Sequence, residues 1–427
     1  MIGSDWYRLD NSAIVYQMII TRETQSLYRL GAQLKTAVDP EALRQSVEDA
    51  LVRYPFFKSE LRHGFFRPYL GKNTLPPLVF EDDGIVLKIL SFRKNNKYLF
   101  RTSYFKNTIY IDFFHGLCDG SGAMEFLKTV LYYYHQRTEK FISPSLIRLA
   151  GDAENPEETE DAFCKYYKKF DLFDGIKKMA GGNGYRLKGK QFAFPGFGLI
   201  QITVPTDKLL AAARSFGCSI TALLTSINLL AIHNVYGDKP QKEPYVAFIP
   251  VNLRKRYPSD TLGNFTVFAK CVIPKDTEMN LESLTKTTSK LISEQLEEKE
   301  LDIKLSFASL MATLPLLKFM PLFIKSFISK LGRSFGSKTK QTFILSNLGK
   351  VNLSESEELD SLFFCLNCSK KTPDNMGVVS YENKTVISFT RKLISTDTER
   401  EFAKILASLI DGDVEVCSNY RESCDVL

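Results

Sequence analysis

A mixed α+β fold assembled as two halves is what this sequence predicts, and three observations lead there. The chain has 427 residues, too many for one ordinary core and suited to two units of roughly 200 residues each. In both halves β-rich runs alternate with amphipathic helical stretches. A strand-to-helix unit that opens at Val38-Asp39-Pro40 begins again at Val204-Pro205-Thr206, a weak internal repeat. The first half is therefore expected to be mixed α and β with antiparallel strands.

The elements follow in order. Asp39-Pro40-Glu41 opens a helix, because Asp caps free N–H groups, Pro suits the first turn and Glu favours the positive end. Leu43, Val47, Ala50, Leu51 and Tyr54 share its apolar face, and Pro55 stops it. Runs at 85–90, 98–105 and 108–114 read as strands joined by turns at Lys94-Asn95-Asn96 and Lys106-Asn107. Residues 152–161 hold six acids and no base, and glycines scatter through 181–198, so a connection is expected there. The halves are placed at 1–165 and 196–427, with 166–195 as linker. The second half starts with a strand at 199–204, a helix ending at Gly217 and another from about Ser219 to Tyr236. Strands at 245–253, 264–273, 342–346, 359–367 and 385–390 are expected to complete it. A capping box, Thr396-Asp397-Thr398-Glu399, opens the last helix.

Composition narrows the function classes. A hydrophobic fraction of 44% and a charged fraction of 25% are those of a soluble globular chain. Met1 to Trp6 lack a basic region followed by an apolar run, so no secretory signal is expected and a cytoplasmic location is. Eight cysteines spread over such a length read as reduced thiols. Cys365-x-x-Cys368 lies in a strand-like run whose positions three apart face opposite ways, so neither a metal nor a redox role is expected. The net charge of +7 is uneven, since residues 303–354 carry eight Lys or Arg and no Asp or Glu. No nucleic-acid motif accompanies them, which leaves a solvated basic face or the phosphates of a small ligand. The apolar stretch 310–331 is broken by Lys318, Lys325, Lys330 and two prolines, so it is not a membrane span. Its stripe of Met320, Phe323, Ile324, Phe327 and Leu331 suits a helix over the core or an acyl tunnel, with a membrane surface as the second reading.

Chemistry concentrates at one junction. Of the four histidines, His115 sits where the strand Ile111-Asp112-Phe113-Phe114 meets a helix rich in Leu127, Val130, Leu131 and Tyr134. Three glycines let backbone or substrate approach closely, and Asp119 follows four residues later. The same residues admit a plainer account, in which Asp119 or Ser121 caps the helix and His115 is a satisfied core residue. A second chemistry is a Cys118 thiol activated by the nearby imidazole. His63, His135 and His233 lie in or beside apparent helices without acidic company and are expected to be structural or at the surface.

The run His115-Gly116-Leu117-Cys118-Asp119-Gly120 resembles the H-x-x-x-D-G motif of the superfamily that includes chloramphenicol acetyltransferase, condensation domains and many alcohol acyltransferases. Ile249-Pro250-Val251-Asn252-Leu253-Arg254, with Leu262-Gly263-Asn264-Phe265, is similar to that superfamily's arginine strand and following Asn. Leu345-Ser346-Asn347-Leu348-Gly349 and the opening Trp6 to Asn11 resemble bacterial condensation-like alcohol acetyltransferases, so the likeness spans nearly the whole chain. Phe114 stands where condensation domains usually have a second His, which argues against peptide-bond formation. The plant-type D-F-G-W-G is missing, and Ser346 to Gly349 is its nearest counterpart.

The resemblance implies two chloramphenicol-acetyltransferase-like halves, each a largely antiparallel sheet with flanking helices, forming a V-shaped pseudo-dimer around a tunnel, with His115 reaching it from the middle. It implies acyl transfer from acyl-CoA, a co-substrate and not a resident cofactor, to a small-molecule alcohol or amine, with His115 as general base. Asp119 and Gly120 complete the motif, and Arg254 supports it by pairing with Asp119. Backbone amides near Gly120 or the side chains of Ser346 and Asn347 become oxyanion donors, the latter two also tunnel contacts, and Lys338 and Lys340 the contacts for CoA phosphates. No metal is expected. Two alternatives go with it: an acyl carrier protein as donor, and a non-catalytic member that binds a lipid or partner.

Overall fold

The computed structural model describes residues 6–18, 20, 25–153, 155–171, 173, 175, 183–193, 195–237, 243–310, 319–325, 341–353 and 356–419. Its first half is organised on β2 (Leu27–Leu34), β5 (Val79–Glu81), β6 (Phe100–Phe105) and β7 (Thr108–Phe114). β6 and β7 form the expected hairpin, and α2 (Pro40–Arg53) begins as expected, with Asp39 accepting N–H bonds from Glu41 and Ala42 at 2.9 and 3.0 Å. Together with α3 (Gly120–Arg137), α2 encloses an aromatic core in which Phe57, Phe113 and Phe126 are fully buried. A short helix α1 (Asn11–Met18) and a three-stranded sheet of β1 (Trp6–Arg8), β4 (Pro68–Lys72) and β3 (Ser59–His63) lie beside it.

The second half carries a seven-stranded sheet in the order β10-β9-β11-β13-β14-β8-β15. Its strands are β8 (Gly198–Pro205), β9 (Val246–Asn252), β10 (Thr266–Val272), β11 (Phe343–Lys350), β13 (Asp374–Tyr381), β14 (Lys384–Arg391) and β15 (Glu415–Ser418). The pairings are antiparallel except that β11 runs parallel to both β9 and β13. Helices α5 (Thr206–Ser215), α6 (Ile220–Tyr236) and α9 (Asp397–Leu409) bury Leu209, Leu223, Ile227, Phe402 and Leu406 in a second core. α4 (Ala162–Lys165) packs with α8 (Glu298–Ala308), burying Phe163 near Phe265, Leu301 and Leu305, while α7 (Leu281–Gln295) covers β10. Mixed α+β architecture with two principal sheets and two principal cores is thus the fold.

Four expectations are corrected. Residues 85–90 are not a strand: positive φ at Gly84 (80°) and Leu87 (51°) folds the run back, and Val86, Leu87 and Leu90 are buried as a loop plug. β12 (Leu359–Leu366) does not complete the second sheet. It pairs antiparallel with β2 and gives the first sheet the order β12-β2-β7-β6-β5. Where β12 crosses, a Cβ on Gly377 would lie 2.1 Å from the Phe364 carbonyl oxygen, so glycine lets the sheets approach there. Thr396 precedes α9 but makes no side-chain cap, and Ser395 Oγ takes the Asp397 N–H instead. His63 stands on β3, not on a helix. Among the described residues no single helix is long and apolar enough to cross a membrane.

A buried charge network fixes register within the first sheet. Arg29 on β2 faces Asp112 on β7, with Nε donating to Oδ1 at 2.6 Å, and its Nη2 reaches Asp82 at 2.9 Å. A slip of one residue would strand these charges in an apolar core. The strand that leads to His115 is held by this pairing.

Candidate active site

β7 ends at Phe114, and the next residue leaves the sheet with its N–H donated to the Ser26 carbonyl at 2.8 Å. The half-buried His115 ring has its Nδ1 at 2.9 Å from Asn264 Oδ1. Asn264 Nδ2 donates to Asp10 Oδ2 at 3.0 Å and to the His115 carbonyl at 3.1 Å. With both amide hydrogens used, Oδ1 faces the ring, so Nδ1 carries a proton, and in the neutral imidazole Nε2 then holds the free lone pair. Asp10 supports this chain by accepting from Asn264 N at 3.0 Å and from Ala13 N, in α1, at 2.7 Å. Burial pushes the Asp10 carboxyl up to about 7 against those N–H bonds. Burial likewise holds the His115 imidazole below its ordinary value, and the Asn264 bond opposes this. Tyr16 stacks on one face of the ring at 4.2 Å, and Tyr28 meets it edge-on at 5.0 Å.

Asp119 does two jobs. Its Oδ1 caps α3, accepting from Ser121 N and Gly122 N at 3.1 and 3.2 Å. Its Oδ2 accepts from Arg254 Nη1 at 2.8 Å and Phe265 N at 2.9 Å, bringing the second half onto the first. Arg254 also donates to the carbonyls of Thr261 and Gly263 at 2.9 and 2.8 Å. The helix-cap account and the ion pair therefore coexist in one carboxylate. Gly122 is the glycine under the tightest constraint here, since a Cβ would stand 2.0 Å from the Leu262 carbonyl oxygen.

Two cavities meet at the N-terminus of α3. One, about 350 Å³, is lined by Tyr16, Tyr28, His115, Phe268, Ser346 and Phe364 among others. The other, about 360 Å³, is lined by Lys128, Arg148, Arg254, Lys255 and Lys350, with Glu125 and Asp260 as its acids. Gly120, Ser121, Asn252 and Leu348 line both, and Asn252 Nδ2 donates to Ser121 Oγ at 2.8 Å within that shared wall. One side is apolar and holds the imidazole, and the other is basic.

Of the remaining expected residues, Ser346 and Asn347 line the His115 cavity. The Asn347 side chain is tied down, donating to Thr221 Oγ1 at 3.1 Å and accepting from Gly349 N at 2.8 Å. Lys338 and Lys340 fall outside the described residues, as do Phe327 and Leu331. Cys118 is fully buried with Sγ 3.1 Å from the Tyr28 hydroxyl, and burial pushes its thiol far up, so it is a poor nucleophile. Cys365 and Cys368 are free and buried. His135 is locked between the Leu131 carbonyl and Ser356, and His63 bonds Gln17. Among the described residues no cluster has metal-ligating geometry. Asp10, Tyr16 and Tyr28 were not singled out by sequence. Asp10 and Asn264 lie within the stretches that carry the resemblance, but the two tyrosines have no signal that periodicity reveals.

Comparison with known proteins gives the fold its relatives. No family profile and no curated protein matches the chain by sequence. Among solved structures, polyketide synthase associated protein 5 from Mycobacterium tuberculosis is similar at 13% identity and TM-score 0.64, over 94% of this chain and 98% of that one. The starter condensation domain of rhizomide synthetase in complex with C8-CoA is similar at 12% identity and TM-score 0.59, over 97% of both chains. A wax ester synthase/diacylglycerol acyltransferase from Marinobacter aquaeolei VT8 follows at 12% identity and TM-score 0.55, over 94% of this chain and 98% of that one. The chain has the fold shared by condensation domains and CoA-dependent acyltransferases.

Proposed function

We propose that this protein transfers an acyl group from a CoA thioester to a hydroxyl or amine acceptor, with His115 as general base. The observation that carries the reading is the Asp10–Asn264–His115 chain, which fixes a neutral imidazole with a free Nε2 lone pair at the wall of a cavity. Burial favours the unprotonated form near neutral pH, the form a base requires. The acceptor's O–H or N–H proton passes to Nε2 as its heteroatom attacks the thioester carbonyl. A tetrahedral oxyanion forms, the C–S bond breaks, and the proton passes from Nε2 to the departing thiolate. No covalent enzyme intermediate is required.

The oxyanion needs a donor close to the ring. Ser346 is our candidate because it lines the same cavity, whereas the Asn347 amide is already engaged. The basic cavity suits the CoA phosphates, with exposed Lys255 and Lys350 as contacts in addition to the Lys338 and Lys340 expected from sequence. A structural relative solved with C8-CoA brings an acyl-CoA to this fold. Acceptor-dependent release of free thiol from acyl-CoAs of graded chain length tests the proposal, with the same acyl groups on an acyl carrier protein as the second arm. Release only from the carrier protein would replace the donor, and no release from either would overturn the reaction.

A further inference from the structure

Away from the cavities, the tip of the β3–β4 hairpin carries Phe65 and Phe66, whose rings meet edge-on at 4.8 Å. Residues 319–325 lie against it: Leu322 N donates to the Phe65 carbonyl at 2.9 Å, and Lys325 Nζ to the Phe66 carbonyl at 3.0 Å. Phe319 meets the Phe66 ring at 6.3 Å. Phe65, Phe319 and Phe323 are 67%, 61% and 68% exposed, and of the stripe's described members Phe323 and Ile324 face outward while Met320 is half-buried. Contiguous exposed rings of this kind mark an interaction surface.

Cations stand behind the rings. Lys325 is buried, Arg67 half-buried and Arg8 exposed. Burial and the neighbouring Arg8 hold the Arg67 guanidinium below its ordinary value, and burial and Arg67 do the same to Lys325. Arg67 Nη2 donates to Asn11 Oδ1 at 2.9 Å, but its buried Nε has no partner among the described residues. Asp161 is the acid whose charge reaches Arg67, and none of the three cations forms a salt bridge among the described residues.

We propose that this tip docks on an anionic lipid surface, with Phe65, Phe66, Phe319 and Phe323 entering the acyl boundary and Arg8 and Arg67 at the level of the phosphates. The order in depth carries the choice of occupant. Exposed rings, with Arg67 and Lys325 more deeply set and no salt bridge to either among the described residues, match an interface whose apolar layer lies beneath a plane of negative charge. An acidic protein would instead call for cations at the rim of an apolar centre. The hairpin is also tied to α1 through His63 Nδ1 and Gln17 Nε2 at 3.1 Å, so docking would set a lipid-dissolved molecule one helix away from His115.

The test is co-sedimentation of the full chain with vesicles of phosphatidylcholine and of a phosphatidylcholine and phosphatidylglycerol mixture. Binding to the anionic vesicles alone, weakened by high salt, is expected. A Phe65→Ser/Phe323→Ser variant should lose roughly tenfold or more in vesicle affinity, and Arg8→Gln a few-fold, with unchanged melting. Equal binding to neutral and anionic vesicles, or undiminished binding by the double variant, would overturn the proposal. So would a parent dimer that the double variant converts to monomer while neither binds vesicles, since the patch would then belong to a second copy.

Discussion

Removing Arg254 and removing Asp119 should not cost the same, although they are two ends of one ion pair. The pair is largely buried, with side-chain exposures of 15% for Arg254 and 2% for Asp119. Arg254→Ala leaves Asp119 with three N–H donors, from Ser121, Gly122 and Phe265, so the stranded carboxylate stays well solvated by the protein. Its cost should fall at the lower end of the range for breaking a buried pair, about 3 kcal/mol. Asp119→Ala removes the cap of α3, worth about 1 kcal/mol, deprives Phe265 N of its acceptor and leaves Arg254 without a counter-charge. Its cost should be about 5 kcal/mol. The double variant strands no charge, so its loss should stay near that of Asp119→Ala, well under the roughly 8 kcal/mol of an additive pair. Urea unfolding of the parent and three variants measures this. Equal single losses would refute the partition between cap and pair, and additive losses would mean that the two side chains do not interact.

His115→Ala should lower turnover by roughly 10²- to 10⁴-fold with little change in the unfolding midpoint, and a fully active variant would end the mechanism. The parent's rate should be flat above neutrality and fall only below the ordinary imidazole value of 6.5, because burial depresses this pKa; an acid limb centred above that value would contradict the geometry. Gly122→Ala should destabilise by roughly 1–3 kcal/mol, its Cβ facing a backbone carbonyl at 2.0 Å, whereas Gly120→Ala meets only the mobile end of Leu348 at 2.7 Å; the two midpoints compared in one assay check this. Asp374 and Glu399 are buried near one arginine, Arg391, and both carboxyls are pushed up by burial, Glu399 to about 7. Raised carboxyls contribute stability below their unfolded values that is lost as pH rises through their folded ones. These two groups therefore contribute a loss of stability from about pH 5 toward pH 8, joined by Asp10 and opposed below pH 6.5 by the depressed imidazoles of His115 and His135, and Asp374→Asn should remove the part of the loss that Asp374 supplies. An unchanged slope in thermal melts would show that Asp374 does not titrate there.

Much of this architecture was legible because local chemistry decided it. Asp39-Pro40 and Ser219 start helices wherever they are placed, and the turn at Lys106-Asn107 joins two strands whatever packs on them. Residues 85–90 misled because their apolar side chains are buried, as in a strand, while the backbone at Leu87 turns the other way. The partner of β12 was hidden for a different reason, since a buried strand's composition does not say which sheet receives it. The site divides in the same manner. The H-x-x-x-D-G run was visible as a motif, whereas the Asp10–Asn264 contact joins residues 254 positions apart and emerges only when the halves close. Tyr16 stacks on the imidazole from a helix whose sequence has no polarity pattern to announce it.

The crossing of β12 has a consequence for how the chain can be cut. A first half produced alone, ending anywhere between 166 and 195, would lack the strand that pairs with β2 from Tyr28 to Leu34. That edge would then offer a row of unpaired N–H and C=O groups flanked by Leu30, Ala32 and Leu34, a template for the next copy. Such a fragment should precipitate, not persist as a domain. Exchange of halves between relatives meets the same obstacle, because a chimera joined within 166–195 gives the first sheet a β12 from the other parent. Breakpoints that keep residues 359–366 with the parent of residues 27–34 are the ones this fold tolerates.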